Sequence, residues 1–317
     1  MAGHRYLITG GCGFIGVNLV RRIRDRYRNS VELIVVDNET AGTPSDLPAG
    51  AVTYRRADIR DYAAVADAAS HSDTIIHLAA QGGVIDSIED PNLNFEVNVR
   101  GTLNVLLAAR HAGVSRVVLA STGGAILGET DPPVHEEMLP RPLSPYGASK
   151  LAAEAYALAF GHCYGLQVTA LRFANVYGPY SRHKGSAIAR FFSGILARRP
   201  VTVYGDGSQV RDFVFVEDVC DGILQALDSD VSGVFQLGTG QPTSIYSLLQ
   251  EMRRVVGPDW PVEVLHEQPR TGEIVATYCD VSKASRSFGY RPKVTLETGL
   301  PRTWRWFLDD AVAKPVQ

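Results

Sequence analysis

The first apolar run of this chain leads directly into a glycine-rich segment and then into an amphipathic stretch. Tyr6 to Thr9 are followed by GGCGFIG, in which Gly10, Gly13 and Gly16 have the spacing GxxGxxG. Glycines let the backbone approach a phosphate closely, and the free N–H groups at the start of a helix attract its negative charge. This order predicts a strand, a tight turn and a helix whose N-terminus can hold a pyrophosphate.

The alternation of short apolar runs and longer amphipathic stretches continues along the chain. The runs lie at 6–9, 33–36, 52–54, 74–78, 116–120 and 168–173, and the clearest helix-like stretches lie at 14–28, 95–111 and 146–164. Strands separated by crossover helices form a mostly parallel sheet that is covered on both faces. We therefore predict an α/β fold with a doubly wound parallel sheet over 1–174, a return to it near 211–240, and a smaller lobe over most of 175–317.

Composition and charge restrict the partners of the chain. The 31 Lys and Arg residues stand against 34 Asp and Glu residues, so there is no basic field for nucleic acid or an anionic membrane. The four cysteines lack the spacing of a zinc site or a disulfide framework. The start MAGHRYLITGG lacks a signal-peptide pattern, and no long apolar run follows. We expect a cytoplasmic protein with no metal.

An aspartate stands at the end of the second predicted strand. Asp37 follows the glycines at about the twenty-residue distance at which a carboxylate accepts hydrogen bonds from an adenosine ribose. The glycines alone are also compatible with an ordinary tight turn, but together with Asp37 they favour a dinucleotide site. Its neighbours Asn38, Glu39 and Thr40 offer no arginine for a 2′-phosphate, which favours NAD over NADP.

Tyr146 and Lys150 form a YxxxK pair at the start of a predicted helix, so their side chains share one face. A nearby ammonium favours the phenolate and would lower the tyrosine pKa from its usual value of about 10. Such a tyrosine can exchange a proton with a sugar hydroxyl. A lone YxxxK pair is more often a surface feature of an amphipathic helix. Its place after the glycines, the acidic strand end and a hydroxyl-rich segment favours chemistry.

In this order the sequence resembles the extended short-chain dehydrogenase/reductases, in particular the NAD-dependent epimerase/dehydratase family and, within it, the bacterial UDP-glucose 4-epimerases. The matching segments cover nearly the whole chain: ITGGCGFIG, VVDN, ADIRD, IIHLAAQ, NFEVNVRGT, LASTGGAILGE, SPYGASKLAAE, LRFANVYGP, VYGDGSQVRDFVFVEDV, LGTG and PRTGE. The resemblance implies a Rossmann domain that binds NAD and a smaller C-terminal substrate-binding lobe. It also implies 4-epimerisation of a nucleotide-linked sugar, with UDP as the expected nucleotide, and a homodimer formed through the helices near 95–111 and 146–164.

The same resemblance assigns roles to individual residues. The catalytic residues would be Tyr146, Lys150 and Thr122. The cofactor would be bound by Gly10, Gly13, Phe14, Ile15, Gly16, Asp37, Asn38, Asp58, Ile59, Leu78, Ala79, Ala80, Asn98, Ser121, Tyr146, Lys150 and Phe173. The substrate would be bound by Thr122, Asn175, Tyr204, Arg211 and Arg270, with the arginines on its diphosphate.

One segment departs from the family pattern. Ser121-Thr122 is followed by Gly123-Gly124, and counting forward from the strand places the hydroxyl that binds the sugar O4 on Thr122. Counting back from Gly128 places it on Gly123; we favour Thr122 and leave Ser121 as the alternative. Dehydratases of the family carry Asp-Glu directly after the strand-end threonine. The two glycines carry no acid, which favours epimerisation over elimination of water.

Several alternatives stay open at this level. The sugar is a hexose, an N-acetylhexosamine, a uronate or a pentose, and Arg182 is a candidate partner for a uronate carboxylate. Lys184 either contributes to diphosphate binding or is solvated. Another sugar-nucleotide reaction of the family, dehydration or decarboxylation, competes with epimerisation. A catalytically silent NAD-binding regulator is the alternative from another functional class, although both residues of the YxxxK pair are present.

Overall fold

The computed structural model describes residues 3–28, 30–50, 52–269 and 274–313. Its strands are β1 (His4–Thr9), β2 (Val31–Asp37), β3 (Thr53–Arg56), β4 (Thr74–His77), β5 (Arg116–Thr122), β6 (Gln167–Phe173), β7 (Asn175–Tyr177), β8 (Val201–Tyr204), β9 (Val210–Arg211), β10 (Phe213–Phe215), β11 (Gly233–Leu237), β12 (Thr243–Ser244), β13 (Val264–Glu267) and β14 (Ala276–Thr277). Its α-helices are α1 (Phe14–Tyr27), α2 (Tyr62–Ala69), α3 (Val84–Glu89), α4 (Pro91–Phe95), α5 (Thr102–Ala112), α6 (Gly123–Leu127), α7 (Pro145–Tyr164), α8 (Ala187–Leu196), α9 (Val216–Asp228), α10 (Ile245–Val256), α11 (Ser282–Phe288) and α12 (Leu296–Ala313). A short 3-10 helix covers Pro44–Asp46. Within the described ranges, no helix is both long and apolar enough to cross a membrane.

Seven parallel strands form the central sheet, in the order β11, β6, β5, β4, β1, β2, β3. The chain begins in the middle of the sheet, runs outward to β3, and returns past β1 to continue with β4. This is the doubly wound order, and it confirms the predicted fold class. β11 comes from the segment for which the sequence predicts a return, and it pairs with β6 at the edge of the sheet.

Successive residues of β1 are buried on opposite faces of the sheet. Leu7 packs with residues of α2, α5 and α7, whereas Ile8 packs with residues of α1 and α9. A strand that is covered on both faces has no side toward water, which explains why its apolar run is continuous rather than alternating. Each fully buried side chain of this size contributes roughly 1.5–3 kcal/mol through the hydrophobic effect.

A π-helical segment joins the second and third helices after β4. α4 continues through Glu96–Gly101, where the backbone is π-helical, into α5. Gly101 leaves room there for the Ile59 side chain, because a Cβ atom would lie 2.6 Å from Cδ1 of Ile59. π-helical turns frequently occur at functional sites, and this one carries Asn98.

The smaller lobe has an apolar core of its own. α8, α10 and α12 pack together with β8 and β10, and Phe192 stacks on Trp304 with ring centroids 5.2 Å apart. β7 pairs with β10, and β9 lies between β12 and β14. Because β7 starts two residues after Phe173 ends β6, Asn175 lies directly beyond the C-terminal end of the central sheet. Ligands bind at this edge in doubly wound sheets.

Candidate active site

The glycine-rich turn between β1 and α1 is tightly packed. Gly10 has a φ of +72°, and a Cβ atom on it would lie 2.6 Å from the amide nitrogen of Ala79. A Cβ atom on Gly16 would lie 2.4 Å from the carbonyl oxygen of Gly10. Gly13 begins the helix without a side-chain cap, and the first turn of α1 contains no acidic residue. The first N–H groups, at Phe14 and beyond, therefore suit the pyrophosphate of a dinucleotide.

Asp37 ties this turn to the end of β2. Its Oδ2 accepts a hydrogen bond from the amide of Cys12 at 2.9 Å, and its Oδ1 accepts one from the amide of Glu39 at 2.8 Å. The residue is only 8% exposed, and burial raises the pKa of its carboxyl while the backbone hydrogen bonds oppose that rise. Each carboxylate oxygen has a second acceptor site, so Asp37 can hold the turn and still accept from a ribose.

Asn38 and Asp58 form a second polar pair at the same edge. Asn38 Nδ2 donates to Asp58 Oδ2 at 2.8 Å, and the Arg60 guanidinium binds both oxygens of Asp58 at 2.9 Å. The hydrogen bond from Arg60 lowers the pKa of Asp58 to about 2, so its carboxylate is charged at neutral pH. Ile59, the residue after Asp58, is buried and lies against Gly101.

The segment after β4 is held by a buried histidine. His77 shares hydrogen bonds with the hydroxyls of Thr9, at 2.6 Å, and Thr102, at 3.0 Å. Burial lowers the pKa of His77 to about 3, so the ring is neutral and serves to fix the strand end. Of the residues that follow, Leu78 and Ala79 are half-buried and Ala80 is exposed.

Asn98 fastens the same segment to α7. Its Oδ1 accepts from the amide of Gln81 at 2.8 Å, and its Nδ2 donates to Gln81 O at 3.1 Å and to Ser149 Oγ at 3.0 Å. Ser149 Oγ donates in turn to the carbonyl oxygen of Tyr146. The side-chain amide of Asn98 thus connects the segment after β4 to the start of α7, and both of its donors are already used.

The predicted catalytic pair lies at the start of α7, where Ser144 caps the helix. Lys150 Nζ donates to the carbonyl oxygen of Ala120 in β5 at 2.8 Å, and burial lowers the pKa of Lys150 to about 8. Tyr146 is half-buried, and burial raises its pKa to about 12. The sequence predicts a lowered tyrosine pKa; in the protein alone, the cost of burying a phenolate is the larger effect.

Ser121 and Thr122 have different surroundings at the end of β5. Ser121 Oγ donates to Glu154 Oε2 at 3.0 Å, and the same carboxylate binds Arg172 at 2.6 and 3.0 Å, with all three residues buried. Thr122 is half-buried, and its hydroxyl makes no hydrogen bond within the described residues. Of the two hydroxyls, that of Thr122 is therefore the one that can still donate a hydrogen bond to a ligand. Phe173 is the partner of Thr122 on β6.

Three of the predicted substrate residues line one cavity of about 180 Å³ in the smaller lobe. Asn175, Tyr204 and Arg211 meet there, and Arg190 lies at the junction with a neighbouring groove of about 430 Å³. Arg270, the fourth residue predicted for the smaller lobe, lies outside the described residues.

Comparison with known proteins identifies the family. A model of the NAD dependent epimerase/dehydratase family matches residues 6–238. The chain belongs to this family.

Individual members of the epimerase/dehydratase family match along nearly the whole chain. A UDP-glucose 4-epimerase of Mycolicibacterium smegmatis is 36% identical over 313 residues, covering 96% of this chain and 98% of its own. A crystal structure of Thermus thermophilus UDP-glucose 4-epimerase with NAD has a TM-score of 0.89 at 38% identity, covering 96% and 99%. A dTDP-glucose 4,6-dehydratase of Streptomyces venezuelae, with NAD bound, has a TM-score of 0.91 at 34% identity, covering 98% and 99%. The predicted family is confirmed, but overall similarity does not separate its reactions.

The two glycines after Thr122 lie where the neighbouring side chains leave little room. A Cβ atom on Gly123 would lie 2.5 Å from Oε1 of Gln236, a fully buried residue of β11. A Cβ atom on Gly124 would lie 3.2 Å from Oγ1 of Thr277. An acidic side chain at position 123 would therefore have to displace Gln236.

The sequence does not predict the buried polar residues that lie beside this epimerase/dehydratase site. They are His77, Glu154, Arg172 and Gln236. Glu154 follows Lys150 by four residues, and Arg172 is a charged residue inside an apolar strand; both were available signals of a buried ion pair. His77 and Gln236 carry no comparable local signal.

Proposed function

We propose that this chain is an NAD-dependent 4-epimerase of a UDP-linked sugar, with UDP-glucose and UDP-galactose as the preferred pair. The observation that carries this proposal is the arrangement at the end of β5. Lys150 contacts it from α7, one helical turn after Tyr146, Thr122 offers a hydroxyl, and Gly123-Gly124 offer no acid. The chain's full-length similarity to a UDP-glucose 4-epimerase supports the same reaction.

The residues around the glycine turn fit NAD. The turn at Gly10, Gly13 and Gly16 would hold its pyrophosphate, and Asp37 its adenosine ribose, while repelling a 2′-phosphate. Lys150 would bind the nicotinamide ribose beside the reaction centre. When bound, NAD supplies the acceptor and the donor of the C4 hydride; the protein supplies orientation and electrostatics.

The side chains at the end of β5 handle the proton. Tyr146 takes the proton from the sugar O4 and later returns it, and Thr122 hydrogen-bonds the same oxygen. Lys150 is held by Ala120 O with its charge close to the helix face that carries Tyr146. In the protein alone burial raises the Tyr146 pKa, and the positive charge of an oxidised nicotinamide bound beside the phenol would oppose that rise.

The cavity of the smaller lobe would anchor the nucleotide. Asn175 and Arg211 would bind the diphosphate, and Tyr204 would lie against the base; Arg270 is proposed as a further phosphate ligand from the sequence alone. Anchoring at the diphosphate leaves the sugar free to present its other face to the cofactor, which inversion at C4 requires.

Dehydration is the second candidate, because a dehydratase is as similar in fold as the epimerases. Elimination of water requires a base for the C5 proton and an acid for the C6 hydroxyl. Gly123 and Gly124 supply neither, and Gln236 occupies the space that a side chain at 123 would need. A uronate substrate stays an alternative: Arg182, the candidate partner of its carboxylate, lies beside Asp310 of α12.

A cytoplasmic homodimer completes the proposal. The helices near 95–111 and 146–164 carry exposed aromatic side chains at Phe95, Tyr156 and Tyr164, of which Phe95 is 54% exposed. Apolar side chains on neighbouring helices are typical of a buried interface. Light scattering after size exclusion, for the wild type and for a Phe95→Glu, Tyr156→Glu variant, tests whether these side chains join two copies.

Product analysis tests the reaction. NMR after parallel incubation with UDP-glucose, UDP-N-acetylglucosamine and UDP-glucuronate should show the C4 epimer, with the C6 oxygen retained and no net consumption of NAD. We expect the fastest conversion with UDP-glucose. Accumulation of a 4-keto-6-deoxy sugar would replace this proposal with dehydration.

A further inference from the structure

Lys184 lies where the two lobes meet. Its loop connects β7 to α8, and its Nζ donates to the carbonyl oxygen of Val176 in β7 at 2.6 Å. The same Nζ lies 5.3 Å from the ring centroid of Phe14, the first residue of α1. The ammonium is therefore placed between the helix N-terminus that suits a pyrophosphate and the strand that carries Asn175.

This ammonium lacks an anionic partner. In the described part of the chain, no carboxylate lies within ion-pairing distance of Lys184, and burial alone lowers the pKa of its ammonium to about 8. Arg182, two residues earlier, is paired with Asp310. An ammonium has three donors, and withdrawing it from water without an anion is unfavourable. The loop thus carries two cations: the charge of Arg182 is neutralised by the protein, and the charge of Lys184 is not.

The surrounding surface has the same sign of charge. The cavity that contains Asn175 and the groove beside it are lined by Arg182, Lys184, Arg190, Arg199 and Arg211, and none of their described lining residues is acidic. Low-dielectric walls of one sign attract and hold a ligand of the opposite sign. Carbonyl and aromatic contacts orient Lys184 without cancelling its charge.

We propose that Lys184 binds a diphosphate at the junction of the two lobes. This inference rests on the proposed function, which brings two such groups to the junction: the pyrophosphate of NAD at α1 and the diphosphate of the sugar nucleotide near Asn175. Both offer the same charged oxygens, and a charge-assisted hydrogen bond from Lys184 suits either. Binding measurements with each ligand distinguish the two sources.

A ligand-binding role and a purely structural role predict opposite effects on stability. If Lys184 served only to hold Val176, its replacement by methionine would lower the melting temperature of the unliganded protein. If it serves an anion, Lys184→Met removes an unneutralised, partly buried charge, and the unliganded protein should be as stable as the wild type or more stable. The increase in melting temperature that the ligand produces should then shrink.

The experiment compares Lys184→Met and Lys184→Arg with a matched control, Lys283→Met. Lys283 also lies over an aromatic ring, with Nζ 4.9 Å from the Phe235 centroid, but it belongs to α11 and lines neither cavity. NAD retained per chain and the Kd for UDP at saturating NAD, by titration calorimetry, are measured for each variant. We expect Lys184→Met to weaken one ligand by at least ~10-fold, with a smaller loss for Lys184→Arg and none for Lys283→Met.

Each result has one meaning. Weaker UDP binding with normal NAD retention makes the sugar nucleotide the ligand, and loss of NAD with normal UDP binding makes it the cofactor. Unchanged binding of both, or an equal loss in Lys283→Met, overturns the role of Lys184 while the proposed function stands. A wild-type protein that binds neither NAD nor UDP overturns the proposed function itself.

Discussion

The cofactor side and the substrate side of this site are held in different ways. On the cofactor side, Asp37 is bonded to the glycine turn, His77 to two threonines, and Asn98 to the segment after β4. On the substrate side, the Thr122 hydroxyl has no partner within the described residues, and Lys184 has a carbonyl partner but no carboxylate. The first side is preorganised by the protein itself, whereas the second has polar capacity that a hydroxyl-bearing, anionic ligand would complete.

The buried Glu154–Arg172 pair, which binds the predicted cofactor residue Ser121, also belongs to the preorganised side. This side should be the more sensitive in stability, and Glu154→Gln tests this most strongly. The change leaves the Arg172 guanidinium buried without its carboxylate, which costs about 3–5 kcal/mol. We expect a loss of that size in the free energy of unfolding, measured by urea denaturation. Glu217→Gln, which removes an exposed ion pair with Arg302, is the control and should cost less than about 1 kcal/mol. Equal losses would show that the Glu154 network does not stabilise this side.

In the proposed mechanism Tyr146 acts where the cofactor side and the substrate side meet, and Tyr146→Phe tests whether its hydroxyl takes part in the reaction. The phenol hydroxyl makes no hydrogen bond within the described residues, so its removal should leave melting temperature and NAD content nearly unchanged. Turnover should fall by at least ~10², because general acid and base groups typically contribute that much. Steady-state kinetics on the preferred UDP-sugar provide the measurement. Near-normal turnover would remove Tyr146 from the chemistry.

The parts of the site that the sequence predicts are those carried by local chain geometry. The glycine turn, Asp37 at a strand end, and Tyr146 with Lys150 one helical turn apart are each defined by short spacings and follow from the periodicity of strands and helices. The doubly wound order follows in the same way and is confirmed. The individual ligand contacts remain predictions, although the structure brings most of these residues to one edge.

The parts that the sequence does not predict depend on register across the sheet. Ser121 of β5, Arg172 of β6 and Gln236 of β11 lie side by side only because three strands far apart in sequence pair in this register. The sequence leaves the O4-binding hydroxyl ambiguous for a related reason: its position depends on the residue at which β5 ends. The structure ends β5 at Thr122, with Ser121 turned into the core.

Gly123→Ala tests whether the buried amide of Gln236 determines which side chains this edge accepts. The added Cβ would lie 2.5 Å from Gln236 Oε1, and overpacking of this kind typically costs about 1–3 kcal/mol. Thermal and urea unfolding should show this loss. Gly124→Ala should cost less, because its added Cβ would lie 3.2 Å from Oγ1 of Thr277, a side chain that can move.

A double-mutant cycle assigns the cost of Gly123→Ala to its cause. Combining it with Gln236→Ala removes the side chain that the new Cβ meets, so the double variant should lose less than the sum of the two single losses. Strict additivity would mean that Gln236 is not what keeps position 123 a glycine.

The smallest expected effect separates the two hydroxyls at the end of β5. Thr122→Ala removes a hydroxyl that the protein does not use internally, so turnover should fall roughly tenfold, by the worth of one hydrogen bond, with little change in stability. Ser121→Ala removes a donor to the buried Glu154 carboxylate and should lower the melting temperature while leaving turnover closer to the wild type. If the alternation of side chains along β5 assigns the two roles, Thr122→Ala should lower kcat more, and Ser121→Ala should lower the melting temperature more. If Ser121→Ala slows turnover more than Thr122→Ala, the O4-binding hydroxyl lies one residue earlier, and the contrast between a preorganised side and a ligand-completed side does not extend to the end of β5.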